Sequence, residues 1–376
     1  MGGNRPKLLM IHSSDELFGS DRILLEVVAA LRNDFQILVW LPVDHQDGQH
    51  RLFHILRGQD VQVQHVDMPI LRRSLINARG LMRMLRLAPR MVTMMKASQA
   101  DQVYLMTSAC LLLAPLARLA RIRQATVHLQ EPWGARESVL LRQLARFTHR
   151  RIAITKTVAQ STGMAQDQIS VIENAVPRLS AANPPRKLDL GADCEQRIRY
   201  VVASRWVAVK GHETLLQAWE AAACPGTLYI LGSAPAGPQG LDMARLVAQH
   251  VTQPDTVKII GQVDSPQDWF ESVDAMILPT DAVEGCGLVP IEGFRHAKPA
   301  IVSDSGGPAE VVSHGKDGWI FETKDVVALA DILRSNTKNK LSAMGVEGRQ
   351  KYEEKYTPER FTQTLREEMS GVLLGH

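Results

Sequence analysis

Two glutamates eight positions apart, Glu284 and Glu292, bracket the turn Gly285-Cys286-Gly287 just before a helix predicted to start near Leu288 to Pro290. Glycines in such a turn let backbone N–H groups come close to an anion, and the positive end of the helix points at the same place. That is phosphate chemistry. Each glutamate can accept hydrogen bonds from hydroxyls, which a sugar and a ribose both offer. Phosphate flanked by two polyols describes a nucleotide sugar. Among 40 acidic residues, however, a bare glutamate pair would read as a solvated helix face, so the reading depends on the glycines and on the elements around them.

Those elements alternate. In the first half strands are expected at LLMIHS, FQILVWL, Val61 to Val66, Gln102 to Met106, Ala125 to Leu129, Arg151 to Ile154 and Ile169 to Ile172, with a helix from Ser20 to Leu31. Residues 177–196 are rich in proline, alanine and charge and read as a linker. Alternation then restarts with IRYVVAS, a helix from Glu213 to Ala222, TLYILG, VKIIG, a short helix near Pro266 to Ser272, AMILP, the helix from about Leu288, and AIVSD. Strand–helix alternation predicts an α/β fold with parallel sheets. The expected domains are 1–176, a linker 177–196, 197–355, and a closing helix within 356–376.

A chain of 376 residues suits two cores. Cys110, Cys194, Cys224 and Cys286 are scattered with neither a Cys-X-X-Cys pair nor a histidine at metal spacing. Neither a disulfide framework nor a zinc site is indicated, and a reducing cytosol is the expected compartment. The short apolar run Leu8 to Ile11 reads as a buried strand rather than a signal peptide, and no stretch approaches the roughly 20 apolar residues of a membrane span. Charge is uneven: residues 1–174 hold 22 Lys/Arg against 14 Asp/Glu, and residues 175–376 hold 21 against 26. The excess concentrates in Arg72, Arg73, Arg79, Arg83, Arg86, Arg90 and Lys96, a stretch without one acidic residue and with leucines and methionines in the gaps. Such basic amphipathic helices suit an anionic membrane surface, or else they turn the apolar stripe to the core and solvate the arginines. With little aromatic interleaving, no nucleic-acid partner is expected.

The Glu-X7-Glu spacing of Glu284 and Glu292, the glycines between them, the run Ala297 to Ser303, Gly306-Gly307 and Glu310 together resemble the donor site of the retaining glycosyltransferases of family 4. The resemblance covers nearly the whole chain. It implies the GT-B fold, two Rossmann-like domains facing each other across a cleft, with a terminal helix crossing back to the first. It also implies donor-site roles for Arg205 and Lys210 in ASRWVAVKGHE, where the family has Gly-Arg and then Lys-Gly; here Ser204 replaces the glycine. Fixed cations aimed at a leaving nucleoside diphosphate favour the transition state. Gly19-Ser20 matches a glycine-small pair that opens the first helix, where backbone donors approach the diphosphate; Ser20 equally reads as an N-cap, and Asp21-Arg22 as a first-turn charge pair. His128 matches a cleft histidine near the donor sugar, with Gln130 rather than histidine beside Glu131. Loops around Gly232 and Val263 are expected to touch the base through backbone, and Gly285, Cys286, Gly287 and Leu288 to meet the phosphate.

The family implies no protein nucleophile. The chain contains no Asp-X-Asp triplet, so no metal or other cofactor is expected beyond the UDP- or GDP-sugar donor, with Arg205, Lys210 and the helix terminus supplying the positive charge. The resulting expectation is a retaining hexosyltransferase acting on a hydroxyl acceptor, a lipid-linked bacterial glycan such as O-antigen or capsule, at the inner face of the plasma membrane. An epimerase of the same fold and a non-catalytic nucleotide-sugar scaffold are the alternatives.

Overall fold

The computed structural model describes residues 5–17, 19–43, 50–71, 78–179, 181–191, 197–235, 237 and 239–370, with backbone only at 78–81. The chain divides into two compact units, residues 1–175 with 358–376 and residues 176–357.

The first unit runs β1 (Lys7–Ile11), α1 (Gly19–Leu31), β2 (Gln36–Pro42), α2 (Arg51–Gly58), β3 (Gln62–Val66), α3 (Ala78–Ser98), β4 (Gln102–Met106), α4 (Leu113–Leu119), β5 (Gln124–Leu129), α5 (Ala135–Ala145), β6 (Arg150–Ala153), α6 (Lys156–Ser161) and β7 (Ser170–Val171). Its strands form one parallel sheet in the order β3-β2-β1-β4-β5-β6-β7. The second unit runs β8 (Ile198–Ala203), α7 (His212–Ala221), β9 (Gly226–Leu231), α8 (Met243–His250), β10 (Val257–Gly261), α9 (Pro266–Ser272), β11 (Ala275–Leu278), α10 (Leu288–Arg295), β12 (Ala300–Ser303), α11 (Gly307–Val311), β13 (Gly318–Phe321), α12 (Val326–Ser335) and α13 (Lys338–Lys355). Its sheet is also parallel, ordered β10-β9-β8-β11-β12-β13. The last helix, α14 (Pro358–Ser370), returns to the first unit and packs on α1.

Strands inside such sheets are covered on both faces and so read as continuous apolar runs rather than as alternation. Leu8 to Ile11 and Ala275 to Leu278 are buried along their whole length. In the second unit Tyr200 and Trp219 meet edge to face at 5.7 Å, and the Trp219 indole N–H donates to Thr256 Oγ1 at 3.0 Å, so the largest core ring keeps its polar atom satisfied.

Several expectations need revision. The stretch read as a linker is bonded to the second unit: the Arg186 N–H donates to Asp268 Oδ1 at 2.7 Å and the Leu188 N–H to Ser272 Oγ at 2.8 Å, both acceptors on α9. Helix α1 starts at Gly19, so Ser20 sits inside the first turn rather than capping it. Strand β13 was not foreseen. In α3, Leu87, Met91 and Met95 face the core at four-residue spacing, while Met82 and Leu85 are exposed and Arg83 pairs with Asp67. Arg72 and Arg73 lie outside the described residues. Among the described residues, no helix is long and apolar enough to cross a membrane.

Candidate functional site: a cation–carboxylate pair at a sheet switch point

In the second sheet, strand order runs outward from β8 through β9 to β10 on one side and from β11 through β12 to β13 on the other. The loops leaving the carboxyl ends of β8 and β11 start where the strand order reverses, the usual ligand position in an open parallel sheet. Arg205 and Lys210 lie on the first of these loops and Glu284 on the second.

The two loops are laced together. The Asp281 N–H donates to Val209 O at 2.9 Å, and the Thr214 hydroxyl to both carboxylate oxygens of Asp281 at 3.1 and 3.0 Å. Gly211 adopts φ 70°, and a Cβ there would stand 1.8 Å from Pro279 O, so the sequence needs glycine for the loops to come this close. Lys210 is thereby held with its ammonium 2.8 Å from Glu284 Oε1. The other carboxylate oxygen accepts from the Thr280 hydroxyl at 2.8 Å. Both partners are mostly buried, 18% and 19% exposed; the pair is shielded without being sealed, so a ligand can compete for either charge.

Beyond Glu284 the chain turns through Gly285 and Cys286, both buried, and Gly287, which has φ 64°, into α10. The Glu284 N–H donates to Ser305 O at 2.8 Å and the Gly307 N–H to Glu284 O at 2.9 Å, pinning the turn to the Gly306-Gly307 loop. Leu288 opens the helix and Glu292 lies half-buried one turn along it. Gly232 (φ 115°) and Val263 follow β9 and β10; their loops are joined by the Gly232 N–H to Gly261 O bond at 2.9 Å and by the Ser233 hydroxyl to Gln262 Oε1 at 3.1 Å. Arg205 is exposed on the β8 loop. Its carbonyl and the Ser204 hydroxyl both face His212 Nε2, at 3.4 and 3.1 Å. Burial pushes the His212 imidazole down to about 4, against the opposing pull of the Arg205 carbonyl, so it is neutral at pH 7 and helps hold the loop.

In the first unit Gly19 is exposed and Ser20 half-buried at the start of α1. His128, expected near the donor sugar, is enclosed in the first unit. It is 0% exposed within β5, its Nδ1 meets the Tyr104 hydroxyl at 3.0 Å, and burial pushes its pKa down to about 3. In this structure it is a neutral, buried side chain, and its Nε2 has no hydrogen-bond partner among the described residues. Asp21, read with Arg22 as a first-turn charge pair, is fully buried against His12 Nε2 at 2.6 Å. Thr280 and Asp281, in the loop after β11, and Thr214, in the first turn of α7, were not singled out from sequence; two threonines and an aspartate so placed carry no spacing signal, and only the lacing gives them a role. Cys110, Cys224 and Cys286 are free thiols, and Cys194 lies outside the described residues.

Residues 197–339 match the family model described as "Glycosyl transferases group 1", a span that includes Arg205, Lys210, Glu284 and Glu292. An exopolysaccharide phosphotransferase of Streptomyces coelicolor is 28% identical over 246 residues, 62% of this chain and 24% of that protein. The human alpha-1,3/1,6-mannosyltransferase ALG2 is 33% identical over 99 residues, 26% of this chain and 24% of that protein. The chain thus spans about a quarter of the length of these curated relatives. The structure of Anabaena HepE in complex with UDP superimposes with a TM-score of 0.80 at 22% identity, covering 97% of this chain and 100% of that one. At that identity the likeness is one of fold: two parallel-sheet α/β domains of the GT-B type, the second carrying a match to the group 1 glycosyl transferases.

Proposed function

We propose that this protein is a retaining glycosyltransferase that moves a hexose from a UDP- or GDP-sugar to a hydroxyl acceptor. The Lys210–Glu284 pair carries the reading: a shielded ammonium and a carboxylate side by side at a sheet switch point, next to a glycine turn that opens a helix. Departure of the nucleoside diphosphate builds negative charge, which Lys210, Arg205 and the amino end of α10 meet with positive charge that is already oriented. Glu284 then exchanges its ammonium partner for sugar hydroxyls, and Glu292 accepts from the ribose. The donor's own phosphate assists the incoming hydroxyl, so no protein nucleophile and no diphosphate-bound metal is required. Support from outside the chain comes from the group 1 glycosyl transferase match and from the UDP complex of the fold relative HepE.

Thermal shift tests the donor site. UDP or GDP should raise the melting temperature with EDTA present, by a margin equivalent to about 2.7 kcal/mol at a hundredfold excess over Kd. Indifference to every nucleoside diphosphate would remove the basis of the proposal.

The acceptor we propose is a lipid-linked saccharide, met at an anionic membrane surface through the basic segment that includes α3. Exposed Met82 and Leu85 beside Arg83 and Arg86 support this, each cation near the headgroups contributing about 1 kcal/mol. Neutralising Arg72, Arg73 and Arg83 together should lower co-sedimentation with phosphatidylserine-containing vesicles at least tenfold, taking about 1.4 kcal/mol as one decade. Unchanged co-sedimentation would disprove membrane docking while leaving the donor chemistry standing.

A further inference from the structure

Three side chains from separate stretches of the first unit converge on one point. Asp15 follows β1, His50 immediately precedes α2, and His65 is the penultimate residue of β3. Asp15 Oδ2 lies 2.7 Å from His50 Nδ1 and 2.7 Å from His65 Nε2, and the three ligand-type atoms all fall within 4.8 Å of one another. The adjacent order β3-β2-β1 brings these residues together at the carboxyl side of the sheet, although nothing in their spacing along the chain announces it.

The arrangement is held from outside. The Phe53 N–H donates to Asp15 Oδ1 at 2.8 Å, which orients the carboxylate so that Oδ2 faces both rings. His65 stacks on the Phe53 ring at 4.4 Å and 14°, and its centroid lies 4.6 Å from that of His50. His50 takes a left-handed backbone, φ 48° and ψ 42°, a conformation that is unfavourable for a residue with a Cβ and tends to persist where a site over-determines it. Asp15 is fully buried, whereas the imidazoles are 33% and 25% exposed, leaving a small ion a path to the cluster.

The geometry points to a divalent transition-metal site with Asp15, His50 and His65 as its protein ligands. Two imidazole nitrogens and one carboxylate oxygen form a donor set suited to Zn²⁺, with a fourth position left to solvent. Ca²⁺ and Mg²⁺ favour more oxygens than the cluster offers. Metal bonds of about 2.0–2.2 Å at tetrahedral angles separate neighbouring ligand atoms by roughly 3.4 Å, so the rings need only swing slightly away from Oδ2. An ion here would clamp the β1 loop, the start of α2 and the end of β3 to one another. Its ligands all lie in the first unit, whereas the cations and carboxylates assigned to the donor lie in the second, so this site does not depend on the proposed transfer chemistry.

The alternative is a metal-free cluster in which both rings donate to Asp15. Full-length protein, prepared without a histidine tag and stripped with a chelator, separates the two by calorimetric titration with ZnCl₂ and by visible absorption with CoCl₂. The expected result is one Zn²⁺ per chain, a ligand-field band for Co²⁺, and a melting temperature raised by Zn²⁺ but not by Mg²⁺. Asp15→Asn keeps the side-chain shape and an acceptor for Phe53, and should weaken Zn²⁺ at least tenfold; His50→Ala, at the more exposed ligand, should do the same if Asp15→Asn fails to fold. Absence of stoichiometric binding, or binding that both substitutions leave unchanged and so resides elsewhere among the 12 histidines, overturns the proposal.

Discussion

Lys210→Ala is expected to lower turnover of the nucleotide-sugar donor by roughly 10²–10³-fold, the usual cost of removing one preorganised group that stabilises developing charge. The loss should fall mainly on kcat, because the ammonium is held by Glu284 at 2.8 Å before any donor arrives and its full interaction with the diphosphate develops only as the glycosidic bond breaks. The substitution has a second effect. It leaves the Glu284 carboxylate, 19% exposed, with the Thr280 hydroxyl at 2.8 Å as its remaining side-chain donor among the described residues, and stranding one member of a shielded pair is costly. Glu284→Gln separates the two contributions: it removes the carboxylate charge while keeping an acceptor for Thr280. If the pair acts as a unit, the double substitution should lose far less activity than the product of the two single losses. A Lys210→Ala protein that turns over donor within about threefold of the wild type would mean that the leaving group is stabilised elsewhere.

How much of this could be read from sequence depends on the distance over which each feature acts. Parallel strands covered on both faces are continuous apolar runs, which is why Leu8 to Ile11, Tyr104 and its neighbours, and Ala275 to Leu278 could be placed within a residue or two. The same property hid His128: in a strand buried on both faces, alternation does not distinguish a core position from a ligand-facing one, and the side chain turned inward onto Tyr104. The Gly285-Cys286-Gly287 turn was legible because its chemistry is local. The Lys210–Glu284 contact joins residues 74 positions apart and depends on the three crossover connections that lead from β8 to β11 and set loop against loop. Asp15, His50 and His65 are gathered by strand order alone, so their spacing was silent. Composition marked residues 177–196 as a linker, yet it cannot register that backbone N–H groups at Arg186 and Leu188 would find side-chain acceptors on α9.

Gly211→Ala is the second substitution with a large expected effect, and it reaches the site through the backbone. The residue sits at φ 70°, where a Cβ adds about 1–2 kcal/mol of local cost. That Cβ would also lie 1.8 Å from Pro279 O and 2.8 Å from Pro279 C, and neither backbone atom can rotate aside as a flexible side chain could. The loop carrying Lys210 must therefore move away from the loop carrying Glu284, breaking the Asp281 N–H to Val209 O bond and the Thr214–Asp281 contacts that lace them. Adding that loss to the local cost gives a destabilisation of about 3 kcal/mol or more, or roughly 6–12 °C in the melting temperature of a unit this size. Gly191→Ala provides the control, since Gly191 also has positive φ (88°) but nothing within 4 Å of its would-be Cβ; it should show the local cost alone. Stabilisation by UDP or GDP should disappear in Gly211→Ala and survive in Gly191→Ala, because only the first separates the ammonium from the glutamate and the glycine turn. Equal melting temperatures for the two variants would mean that the loops tolerate separation, and the close approach of Gly211 to Pro279 would no longer explain how Lys210 is held.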